Sequence, residues 1–217
     1  MANHLDLEEQ EQLDQIKHFW NQYGNLITGL LVLVLAAFAA WNGYQYWQKR
    51  TAAQASVMFE EVEKAIRAGD LPLAERAVGE MQKRFPSTVY AQQSGLALAN
   101  LAYQKVQLDV AKSALTWVAG SSGDAGYAAL GRLRLAGALI DSKAFDEAHK
   151  VLAEAFPPAF DALVADRKGD LSVAQGKSAE AIAEYRKAWA GMGPRAEYRR
   201  LISVKLAALG ATEAAPL

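Results

Sequence analysis

The chain has no cysteine among its 217 residues. That removes disulfides, thiolate metal sites and cysteine nucleophiles together, and it suits either side of a membrane. Proline is scarce. Pro72, Pro86, Pro157, Pro158, Pro194 and Pro216 are the full set, and each falls at an expected helix start, a connection or the tail. A charge excess is missing too: 23 Lys and Arg against 24 Asp and Glu give −1, so no global field points to nucleic acid or to an acidic substrate. The three histidines, His4, His18 and His149, include no pair at metal-ligand spacing. His149 follows an alanine on a predicted helix and reads as exposed. Gly-x-x-x-x-Gly-Lys-Ser/Thr and Gly-x-Ser-x-Gly are both absent, which excludes a phosphate loop and a nucleophile elbow. No constellation for acid–base or nucleophilic catalysis remains. The expectation is a non-enzyme with no cofactor, no metal and no small-molecule substrate. Strand-like alternation never lasts more than a few positions.

Charge is also missing locally, and there the absence is informative. Residues Phe19 to Gln48 carry no charged side chain. The centre, Leu26 to Trp41, is nearly pure hydrocarbon. A bilayer core about 30 Å thick needs roughly 20 helical residues, and Gly24 to Tyr44 supplies them. Phe19, Trp20 and Tyr23 precede the run, and Trp41, Tyr44, Tyr46 and Trp47 close it. Aromatic rings at both headgroup levels are the expected anchors of a spanning helix. The nine Leu, Ile, Val and Phe residues from Leu26 to Phe38 contribute about −3 to −5 kcal/mol of apparent insertion free energy. Ala37-Phe38-Ala39 has the small-x-small look of a cleavage site. The segment before the run is long and acidic, however (Asp6, Glu8, Glu9, Glu11 and Asp14 against Lys17), unlike the short basic leader of a cleaved signal. The reading is an uncleaved anchor. Leu5, Leu13, Ile16, Phe19 and Trp20 fall roughly on one helical face, so the leader is either a short amphipathic helix on the membrane surface or a solvated segment. Lys17 lies before the span and Lys49 and Arg50 just after it. Positive-inside counting therefore leans by a single charge toward a cytoplasmic carboxyl-terminal domain.

After the span the chain is rich in Ala and Leu, with apolar residues recurring at three and four, as in Val57, Val62, Ala65 and Ile66. The helices also repeat. Short breaks lead to Ala74, Ala111, Ala148 and Ala181, at intervals of 37, 37 and 33 residues. A bulky or apolar residue stands four positions on: Val78, Leu115, Leu152 and Tyr185. A small residue lets two antiparallel helices approach, and the larger one fills the gap to the next pair. No pair buries its apolar face alone, so pairs must stack. The pattern resembles the tetratricopeptide repeat (TPR), with first-helix residues partly present at Leu135, Ala136 and Gly169. A last helix, Arg195 to Leu209, is expected to cover the open end. The predicted organisation is all-α: residues 1–22 an acidic leader, 23–48 a transmembrane helix, 49–209 a TPR-like α-solenoid and 210–217 a tail.

The acidic leader, the run Phe19-Trp20-Asn21-Gln22-Tyr23-Gly24-Asn25, one span ending in an aromatic cluster, and about 170 residues of repeats together resemble the YfgM family of Gram-negative inner-membrane proteins. The resemblance covers nearly the whole chain. It implies an ancillary subunit of the SecYEG translocon, with the amino terminus cytoplasmic and the repeats periplasmic. It also implies a PpiD-like membrane-anchored chaperone as partner and the hand-over of translocated client proteins to periplasmic chaperones. That orientation opposes the one-charge bias, and long domains can cross regardless of charge. The first helices of stacked units would line a concave groove. By repeat register Asn100, Tyr103, Gln104, Asp141, Asp166 and Asp170 are its candidate partner-binding residues. Alternatives are an inner-membrane-anchored scaffold for cell-envelope assembly and the sequestration of a cytoplasmic factor by the leader.

Overall fold

A computed structural model describes residues 7–121, 123–193 and 197–212, with side chains from residue 11. The chain divides into two compact units, Met1–Thr51 and Ala52–Leu217. Among the described residues there is no strand.

Helix α1 (Leu7–Ala68) is continuous. From Leu7 onward the leader is the first part of α1 rather than a separate helix. Leu5, counted with the leader's apolar face, lies outside the described residues. Within the first unit the apolar stretch is open to its surroundings, with Leu26 at 68% and Phe38 at 66% exposure. A soluble core helix buries such residues. This one is long and apolar enough to cross a membrane. The rings of Phe19 and Tyr23 meet at 5.1 Å, those of Tyr44 and Trp47 at 6.2 Å, and Gln48 donates to the Tyr44 hydroxyl.

The second unit begins with the last turns of α1 and continues through α2 (Leu71–Arg84), α3 (Val89–Gln104), α4 (Leu108–Ser121), α5 (Ala125–Asp141), α6 (Phe145–Leu152), α7 (Asp161–Ala174), α8 (Ser178–Gly191) and α9 (Tyr198–Ala208), with a 3₁₀ turn at Pro158–Phe160. The predicted last helix is thus seen from Tyr198, and residues 194–196 lie outside the described ones. The starts of α2, α3 and α5 are capped: Asp70 accepts from the Leu73 N–H, Thr88 from Ala91, and Asp124 from Gly126 and Tyr127. Consecutive helices pack in order from α2 to α9, and α5 also touches α7.

The repeat spacing explains the packing. Ala74, Ala111, Ala148 and Ala181 are all fully buried, each on the second helix of a pair. Twelve residues earlier, on the first helix, stand Val62, Ala99, Ala136 and Gly169, also buried. The residues four on, Val78, Leu115, Leu152 and Tyr185, are buried as well. Each first helix ends in the same left-handed turn. Gly69, Val106, Lys143 and Gly176 all have positive φ, between 59° and 74°. The next N–H reaches back five residues: Asp70 to Ala65 O, Gln107 to Ala102 O, Ala144 to Leu139 O and Lys177 to Ser172 O. Each turn therefore satisfies its orphan carbonyls identically. One core spans α1 to α7, and a second joins α7, α8 and α9 through Ala165, Ala181, Tyr185, Ala188, Ile202 and Leu206. Leu201 of α9 is 44% exposed.

Candidate functional site

First helices of successive pairs present one face to a shared groove of about 530 Å³. From α3 it receives Gln93, Leu96, Ala97, Asn100 and Tyr103, spaced at three and four as one helical face requires. From α5 it receives Arg134, Gly137, Ala138 and Asp141, and from α7 Arg167; Leu115 of α4 lies beneath. Asn100, Tyr103 and Asp141 are thus brought together. The Tyr103 hydroxyl donates to Asp141 Oδ2, joining neighbouring repeats. That bond to a carboxylate raises the Tyr103 pKa, with burial adding to it. Gln104 is exposed and lies just off the groove face.

Asp166 and Asp170 go elsewhere. The Asp166 side chain is 2% exposed. Lys205 Nζ donates to Asp166 Oδ1 and to Asp170 Oδ1, both at 2.7 Å. The Tyr198 hydroxyl donates to Asp166 Oδ2 and the Tyr185 hydroxyl to Asp170 Oδ1, both at 2.8 Å. Arg167 Nη1 completes the cluster by donating to Asp170 Oδ2 at 2.9 Å. Both oxygens of each carboxylate are occupied by α7, α8 and α9. Burial first, and then the hydrogen bond to the neighbouring carboxylate, lift the pKa of Tyr185 and Tyr198 well above the ordinary tyrosine value.

Arg134, Arg167 and Gln93 escaped the sequence reading. A signal was present for the arginines: they stand 33 residues apart, the interval between Ala148 and Ala181. They therefore occupy the same position of neighbouring repeats. Among the described residues no group of three or more His, Cys, Asp and Glu has metal-site geometry.

Stacked helix pairs with a groove on their first helices, in a chain whose first helix is long and apolar enough to cross a membrane, define a TPR-like helical scaffold. A family model described as a tetratricopeptide repeat-like domain matches residues 17–211. A protein of Neisseria gonorrhoeae named "Ancillary SecYEG translocon subunit" is 33% identical over 213 residues, covering 96% of this chain and 100% of its own. Proteins of the same name from Escherichia coli and Haemophilus influenzae are 26% and 24% identical, over 83% and 84% of this chain. No solved structure matches with significance. The chain belongs to the family of ancillary SecYEG translocon subunits.

Proposed function

We propose that this chain is a membrane-tethered adaptor of the SecYEG translocon that binds other proteins through its groove and helps pass translocated proteins to periplasmic chaperones. The observation that carries this reading is the groove itself. It is an open, mixed polar and apolar surface built on TPR-like pairs, in a chain whose relatives are named for that translocon. The anchor holds the groove near the membrane and raises its effective concentration there without a tight contact. The chain acts by binding rather than by catalysis. Its amino terminus is cytoplasmic and its repeats periplasmic, with a PpiD-like anchored chaperone and translocated clients as partners. Asn100, Tyr103 and Asp141 contact the partner, and Gln104 flanks them. Asp166 and Asp170 act indirectly, by holding α7 against α9.

Photo-crosslinkers at Asn100 and Tyr103 of the full chain in its own membrane test this reading. Capture of translocon subunits, an anchored chaperone or nascent exported chains is expected. Capture of cell-envelope assembly proteins alone would replace it with the envelope-scaffold reading. The cysteine-free sequence also permits one cysteine in the tail, which an impermeant reagent should label in cells whose outer membrane alone has been opened.

A further inference from the structure

The groove holds two guanidinium groups at one repeat register: Arg134 has no ion pair among the described residues, and Arg167 is paired through Nη1 alone with Asp170, which is not among the groove's lining residues. Arg134 is exposed on the groove wall, with no ion pair or hydrogen bond among the described residues. Arg167 faces the same groove from α7. Asp170 takes its Nη1, while Nε is buried with no acceptor. The Arg167 guanidinium lies against Gly137, its carbon 3.5 Å from where a Cβ would stand. Gly137 is one turn beyond Arg134 on α5, so both arginines line the α5–α7 side of the same groove. Among the described lining residues Asp141 is the one carboxylate, and it already accepts from the Tyr103 hydroxyl. Asp170 keeps Lys205 and Tyr185 as partners, so Arg167 is held in place before any ligand arrives. A preorganised guanidinium loses less on binding.

We propose that the groove recognises an extended polypeptide segment through an acidic side chain seated between Arg134 and Arg167, with an adjacent apolar side chain on Leu96 and Leu115. This deepens the adaptor reading and rests on its use of the groove as the partner surface. A polypeptide fits better than a small anion, because the cationic end is continuous with an apolar floor in a groove of about 530 Å³. An inorganic anion would use the cations and leave that floor bare.

The test uses the full chain in neutral detergent and a fluorescent peptide of about eight residues alternating Glu and Leu. Its isostere, with Gln for every Glu, serves as control. The acidic peptide is expected to bind at least about tenfold more tightly than the isostere, because hydrogen bonds to charged groups are the stronger ones, with affinity falling as salt rises. Arg134→Gln should cost about tenfold with no change in melting temperature, since that exposed side chain makes no hydrogen bond or ion pair among the described residues. Arg167→Gln should cost as much. Equal binding of the two peptides overturns the proposal, as does an unaffected Arg134→Gln variant. Displacement by inorganic phosphate alone, or binding confined to phosphatidylglycerol vesicles, overturns the polypeptide assignment. If Tyr103 still crosslinks to translocon partners while the peptides are not told apart, the adaptor reading stands and this one fails.

Discussion

The residue that departs furthest from its own preference is Val106. It is 78% exposed and sits at φ 60°, a conformation that costs β-branched side chains more than most. Gly69 and Gly176 fill the equivalent turns without that cost. Val106 is held there by the return bond from Gln107 to Ala102 O. Val106→Gly should therefore raise stability by about 1 kcal/mol, or roughly 2–4 °C in melting temperature; an unchanged or lower melt of the full chain in detergent would refute it. The opposite expectation applies at Gly169. A Cβ there would run into the Tyr185 ring, which is itself only 3% exposed. Gly169→Ala should cost about 1–3 kcal/mol as overpacking, and the loss should shrink when Tyr185 is replaced by Leu. These positions differ in how far the sequence announces them. Small residues at Ala74, Ala111, Ala148 and Ala181 are visible as a period, because close helix approach demands them. Val106 is invisible, because nothing in a valine marks a left-handed turn; only alignment on the repeat register places it beside two glycines.

At the scale of elements, α9 is joined to α7 by apolar contact and by one buried ionic cluster. Lys205 neutralises Asp166 and Asp170, which lie 39 and 35 residues earlier. Periodicity within a helix cannot reach that far. The register therefore placed both acids on α7 and gave no warning that a lysine on α9 would take them. Lys205→Met removes the cation and leaves Asp166, a 2% exposed carboxylate, with the Tyr198 hydroxyl alone. Breaking a buried pair from one side costs about 3–5 kcal/mol, so amide exchange around Ile202 and Leu206 should speed up before the α3–α5 amides respond. Uniform exchange across the unit would contradict this. The same cluster sets an alkaline limit. Tyr185 and Tyr198 titrate above the ordinary value of 10.0. Below that value folded and unfolded chains both keep these protons, so the two groups add no pH dependence. Above it the unfolded chain releases them first and binds fewer protons, so stability falls as pH rises. Melting temperature should be level with respect to these groups through neutral pH and decline above about pH 10. Phenylalanine at both positions should flatten the decline.

For the whole molecule, the apolar helix and the groove lie on separate stretches of chain, and they were legible to different degrees. The span announces itself because lipid permits no polar face: one charge-free run from Phe19 to Gln48 is enough to recognise it. The groove is harder, because it exists only once α3, α5 and α7 stack. Asn100, Tyr103 and Asp141 were reachable by register, while the arginines opposite them required seeing which side chains the stacking brings together. The anchor's energetics make a sharp test. The nine large apolar residues between Leu26 and Phe38 contribute about −3 to −5 kcal/mol, and each arginine introduced at the centre costs about 2.5–3.5 kcal/mol in addition to the lost leucine. Leu33→Arg alone should leave insertion near balance. Leu30→Arg with Leu33→Arg exceeds the whole apolar gain and should shift the chain to the carbonate-soluble fraction, while the unaltered chain stays in the membrane pellet. The alkaline wash weakens the tyrosine cluster, yet retention depends on the span alone, so partial unfolding of the repeats should release nothing. If the double variant still pellets with membranes, or the unaltered chain washes free, this helix is not what holds the protein there.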